Sequence, residues 1–129
     1  MGTYTESARQ DANYAGDYAN RARQDADGAR NCAYQARQGD AYQARGDADS
    51  ARRYADSARG NADSAKNYAE RARQDAYSAR GEDTERDADS YAGDAERSAQ
   101  DAESSARDAE SSAQDAENSA RDAERRPRE

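Results

Sequence analysis

Leucine, isoleucine, valine, phenylalanine, tryptophan and histidine are missing from this chain of 129 residues, and proline, cysteine, methionine and lysine occur once each. Each absence excludes something. Without branched aliphatic or large apolar side chains, a domain of this length has no material for a voluminous core. No apolar run approaches the roughly 20 residues that a membrane-spanning helix needs, so no membrane span is expected. Lacking histidine, the chain has no imidazole base or metal ligand. The single Cys32 allows neither an intrachain disulfide nor a zinc site. Lys66 is the only amine nucleophile on a side chain. Enzymatic activity, a cofactor, a bound metal and a small-molecule substrate are therefore not expected, and no catalytic residue is nominated. Residues 2–7 are polar and show no signal-peptide pattern. That composition leaves the location unassigned and is compatible with an extracellular or surface assembly.

What remains is alanine, tyrosine and charge. Charged residues make up 37% of the chain, with 20 basic against 28 acidic side chains and a net charge of -8. Composition of this kind ordinarily marks disorder. The placement of the 32 alanines argues otherwise. They fall in three runs, 8 to 36, 41 to 79 and 88 to 123, and inside each run the steps alternate between three and four residues without exception. Such spacing averages 3.5 and lines the methyls along one stripe of an α-helix. Alanine is also the strongest helix former, so propensity and period agree. The helix-packing seam is assigned to these positions. It is represented by Ala12, Ala15, Ala19 and Ala22 in the first run, Ala51, Ala55, Ala58 and Ala62 in the second, and Ala99, Ala102, Ala106 and Ala109 in the third.

The register breaks twice. Ala36 and Ala41 are five residues apart around Gly39 and Asp40, and Ala79 and Ala88 are nine apart around Gly81. Gly81 suits the left-handed position after a helix, and Asp83 or Thr84 suits a helix cap. Thr84 with Asp87 approaches a capping box. The first break is either a turn or a one-residue skip. The expected architecture is a single elongated all-α domain over 1–129, with helices at 4–38, 41–80 and 84–125, turns near 39–40 and 81–83, and a polar tail at 126–129. Near-equal helix lengths point to an alanine-seamed antiparallel coiled coil arranged as an up-down-up three-helix bundle. The alternative is a long helical hairpin with a skip at Gly39. Pro127 is expected to end the last helix.

With the seam labelled a and d of a heptad, Tyr4, Tyr18, Tyr54, Tyr68 and Tyr91 stand at g, and Tyr14 stands at c on the same flank. These six form a candidate lateral interface, or else widen a stripe too thin to pack alone. Tyr34, Tyr42 and Tyr77 stand at b on the other flank, and Cys32 at g. The third segment repeats DAERSAQ, DAESSAR, DAESSAQ and DAENSAR and carries most of the acidic excess. Its Asp101, Glu103, Asp108, Glu110, Asp115 and Glu117 read as a solvated face. Since no segment is appreciably basic, nucleic acid is not an expected partner.

In its alanine spacing the seam resembles the alanine-zipper rods of bacterial outer-membrane lipoproteins, and the resemblance ends with that spacing. Three readings of function follow. The first is a structural protein that associates with itself into a filament or other extended assembly through close alanine packing and tyrosine-lined flanks. The second is a soluble protective protein, either ice-binding or of the desiccation type, although Thr3, Thr5 and Thr84 are the only threonines. The third is a passive coiled-coil spacer.

Overall fold

The computed structural model describes residues 3–126. Among them are three α-helices and no strand: α1 (Thr3–Gln38), α2 (Ala41–Ser78) and α3 (Glu85–Arg125). The helices pack on one another as an all-α three-helix bundle. Pro127 and the tail beyond Arg126 lie outside the described residues, and α3 ends at Arg125.

The first break is a turn, so a continuous helix across residue 39 does not form. Asp40 is the cause. Its carboxylate accepts the backbone N–H of Gln43 at 2.9 Å, and the Gln43 side-chain oxygen accepts the backbone N–H of Asp40 at 3.3 Å. This reciprocal capping box satisfies N–H groups that the start of α2 would otherwise leave unpaired. The Asp40 carbonyl then takes the first bond of α2, from the N–H of Ala44 at 2.8 Å. At the second break α2 ends at Ser78, two residues earlier than the spacing implied. Gly81 adopts a φ of 87°, which lets the chain reverse with little steric cost. The Thr84 carbonyl accepts the Ala88 N–H at 3.0 Å, making Thr84 the cap residue of α3. Its hydroxyl is turned to Thr5, at 2.7 Å between the two Oγ1 atoms.

Contacts divide the chain into two compact units, each built from a stretch of all three helices. One unit comprises the chain through Arg21 together with Gly60–Ser104. Its core includes Ala15, Ala69, Ala72, Ala76, Ala79, Ala88, Ala92 and Ala95, with Ala12, Ala99 and Tyr68 packed against it. Here Asp11 acts on Asp75 while Tyr18 stacks on Tyr68, so α1 and α2 run antiparallel. The other unit comprises Ala22–Arg59 and the chain from Ser105 onward. In it Arg59 pairs with Glu110 and Arg45 with Glu124, so α2 and α3 also run antiparallel.

Twenty-seven of the 32 alanines are buried, and among the described residues the largest fully buried side chain is Thr5. Of the twelve seam positions named above, Ala15, Ala22, Ala51, Ala55, Ala58, Ala62, Ala102, Ala106 and Ala109 are buried, while Ala12, Ala19 and Ala99 are half-buried. Small side chains at the inward positions let helix backbones approach closely, so that alanine methyls fill most of the space between them.

Candidate functional site

Three rows of side chains flank the seam, each fixed by the heptad position of its residues. Between α1 and α2 the g positions face one another, as antiparallel helices require. In the first unit the Tyr14 and Tyr68 ring centroids are 5.0 Å apart at an interplanar angle of 35°, and Tyr18 stacks on Tyr68 at 5.8 Å and 14°. Arg21 covers the Tyr18 ring at 4.9 Å, and Arg71 covers Tyr68 at 5.1 Å. Aromatic pairs of this geometry contribute about 0.5 to 1.5 kcal/mol each beyond their area. Three of the six candidate interface tyrosines are thus drawn together inside one chain. Tyr4 and Tyr14 keep 48% and 50% of their surface exposed, and Tyr91 is half-buried. In the second unit the Tyr54 ring lies over Gly28, so close that a Cβ there would stand 2.7 Å from the ring. Glycine at residue 28 is the seat for that ring.

One heptad from the tyrosine cluster, Asp11 and Asp75 face each other. Burial, then the hydrogen bond and charge of Asp75, together raise the Asp11 carboxyl from 3.8 to about 6, against the opposing charge of Arg71. A carboxyl with a raised folded-state pKa favours the folded state while protonated, so this contribution is present at low pH and is lost as pH rises through about 6. The expected result is a bundle that melts higher at pH 5 than at pH 7, by about 1 kcal/mol once solvent screening is allowed for. Asp11→Asn should flatten that dependence. Thermal melts of both proteins across this range check it, and an equally steep dependence in the variant would remove Asp11 as its source.

Between α2 and α3 the e positions face one another, and here sequence reasoning missed the pairing. Arg45, Arg59 and Arg73 stand 14 residues apart on α2, as do Glu96, Glu110 and Glu124 on α3. In the second unit Arg45 meets Glu124 at 2.8 Å and Glu117 at 2.5 Å, and Arg59 meets Glu110 at 2.7 Å. Arg73 pairs with Glu96 in the first unit. The intervening e positions are Arg52 and Lys66 on α2, and Glu103 and Glu117 on α3. A basic row therefore faces an acidic row. Reading the glutamates at e as a solvated face is corrected by these contacts, because an antiparallel neighbour brings its own e row against them. On the α1 side Arg37 reaches Asp115 at 3.8 Å. The signal was present in the seven-residue recurrence of cations on α2 and acids on α3.

Exposure is greatest at b. Tyr34, Tyr42 and Tyr77 are 60%, 89% and 72% exposed, against 41% for Tyr54. Arg80 covers one face of Tyr77 at 5.4 Å. Cys32 is half-buried, and its thiol is pushed up by burial and then by Asp47, which keeps it in the unreactive protonated form.

Open clefts of about 710 Å³ beside Gly39 and about 330 Å³ beside Tyr54 are lined by polar, small and tyrosine side chains. Among the described residues no group of three His, Cys, Asp or Glu is arranged to hold a metal ion, and no helix is long and apolar enough to cross a membrane. Comparison with protein-family models, with curated proteins and with solved structures finds no match to this chain.

Proposed function

We propose that this chain is a non-enzymatic structural protein that associates with itself into a filament or other extended assembly. The observation that supports this reading is the division of its apolar material. Alanine is consumed inside the chain, while six of the nine tyrosines keep 41% to 89% of their surface in water. Tyrosine presents a large rigid face with a polar tip, a combination enriched where proteins meet one another. Close alanine packing serves the chain's own helices, so lateral contact falls to the tyrosines, with Tyr34, Tyr42 and Tyr77 joining Tyr4, Tyr14 and Tyr54.

Sedimentation velocity and negative-stain electron microscopy at micromolar concentration test the proposal. Oligomers or filaments are expected. Replacing Tyr34, Tyr42 and Tyr77 together by Ser should raise the concentration needed for association by about tenfold or more, with helicity by circular dichroism unchanged. A monodisperse monomer without filaments would sink the structural reading.

A further inference from the structure

The two helix interfaces that meet on α2 differ in how much register information they hold. Between α1 and α2 the contacts are individual. Tyr54 fits over Gly28, and a slide of seven residues would set its ring on Arg21 or Gln35 instead. The same slide would move Tyr68 from Tyr18 to Asp11 or Asp25. Shape and chemistry thus hold this pair in one register.

The faces of α3 are uniform by contrast. Its row toward α2 is Asp89 followed by glutamate at every seventh residue from Glu96 to Glu124, and its g row after Tyr91 is serine at every seventh residue from Ser98 to Ser119. A slide of seven therefore replaces Glu by Glu, Ser by Ser and Ala by Ala. On α2 the facing row is basic at every seventh residue from Arg45 to Arg80, so the slid helix still finds a cation opposite each acid except at one end. Arg45 already bridges two such registers, holding Glu117 and Glu124 at once. What distinguishes one register from the next is confined to the start of α3: Tyr91, the Thr5 to Thr84 contact, and the turn that contains Gly81.

We infer that α3 is an exchangeable helix, and that the groove between α1 and α2 accepts the α3 of a second copy, in its own register or one displaced by a heptad. The inference rests on the self-association proposed above and supplies a route for it. Helix exchange reuses contacts the chain already makes and needs no new surface. When the exchange is reciprocal it closes as a dimer. When each copy passes its α3 onward, it stays open and grows.

A reporter disulfide tests this in the full chain. A Cβ built at Gly16 stands 3.8 Å from the Ser98 Oγ and meets nothing closer, so Gly16→Cys with Ser98→Cys bridges α1 to its own α3 without crowding. Cys32→Ser removes the native thiol. The triple variant is assembled under reducing conditions, association is confirmed by sedimentation, and the sample is then oxidised and run on a denaturing non-reducing gel. Covalent dimers and higher ladders are expected, whereas the same variant oxidised while dilute should run as a single monomer band. Association followed by an all-monomer gel, both for this variant and for its counterparts with Ser105→Cys or Tyr91→Cys in place of Ser98→Cys, which report registers displaced by a heptad, would overturn exchange and leave the structural reading standing. No association in the reduced sample would overturn both. Mixing two mass-labelled versions before oxidation gives a second readout, in which mixed-label dimers support exchange and their absence from an assembled sample counts against it.

Discussion

Ala58→Leu should lower the melting temperature of the bundle by about 10 °C, corresponding to a loss of roughly 3 kcal/mol. Ala58 has no exposed surface, and the added side-chain carbons have no cavity to enter in a seam where methyl groups meet at close range. The helices can accommodate leucine only by separating. Separation strips contact from neighbouring alanines and also stretches the Arg59 to Glu110 ion pair next to the site. Ala62→Leu tests the same point in the other unit, since Ala62 is 3% exposed. Leucine at half-buried Ala123, near the end of α3, should be tolerated with little change. Thermal denaturation followed by circular dichroism compares the three. If Ala58→Leu and Ala62→Leu melt like the parent, the seam is not the close-packed line described above.

The second large effect is electrostatic. Replacing Arg45, Arg59 and Arg73 together by Glu sets acid against Glu124, Glu110 and Glu96 and makes the chain six units more negative. Each of these pairs is at least partly exposed, so each contributes little by itself. Reversal removes all three attractions and sets like charges against one another at three places along one interface, so the midpoint of unfolding should fall clearly. High salt should shrink the difference, because screening acts on exposed charges first. Reversing Glu96, Glu110 and Glu124 to Arg in the same protein should restore most of the stability. Denaturant melts at low and high ionic strength read both effects. Failure of the compensating reversal to restore stability would show that the rows do not face each other in this register.

The helices were legible because alanine does two things at once, setting the period and favouring the conformation. The turn at Gly81 was legible for a similar reason, since its glycine stands where a helix end needs a left-handed residue. The turn at Asp40 was less so. Its capping box, Asp40 with Gln43, was in the sequence, but a five-residue step in the alanine spacing is equally compatible with a skip, and the spacing alone does not separate the two. The flanking rows were harder still. Knowing that Glu110 stands at e says nothing about its partner until the direction and offset of α2 are known, and only then does Arg59 become its neighbour. Asp11 opposite Asp75 and Tyr54 over Gly28 belong to the same class. Each is a property of two helices and is invisible along either one. The tyrosines at g show the converse, in that heptad position assigns them a flank without saying how much of each ring the chain itself would cover.

The alanine-built interior also shapes how this protein responds to temperature. Unfolding raises heat capacity in proportion to the apolar surface it exposes, and polar surface exposed alongside subtracts from that rise. A core made of methyl groups exposes little apolar area per residue when it comes apart, and the ion-pair rows beside it add polar area. The heat-capacity increment of unfolding is therefore small for a chain of this length, so the stability curve is broad and shallow and cooling weakens the fold only slightly. A protein built around a line of alanines gives up a high maximum of stability and holds what stability it has over a wide range of temperature.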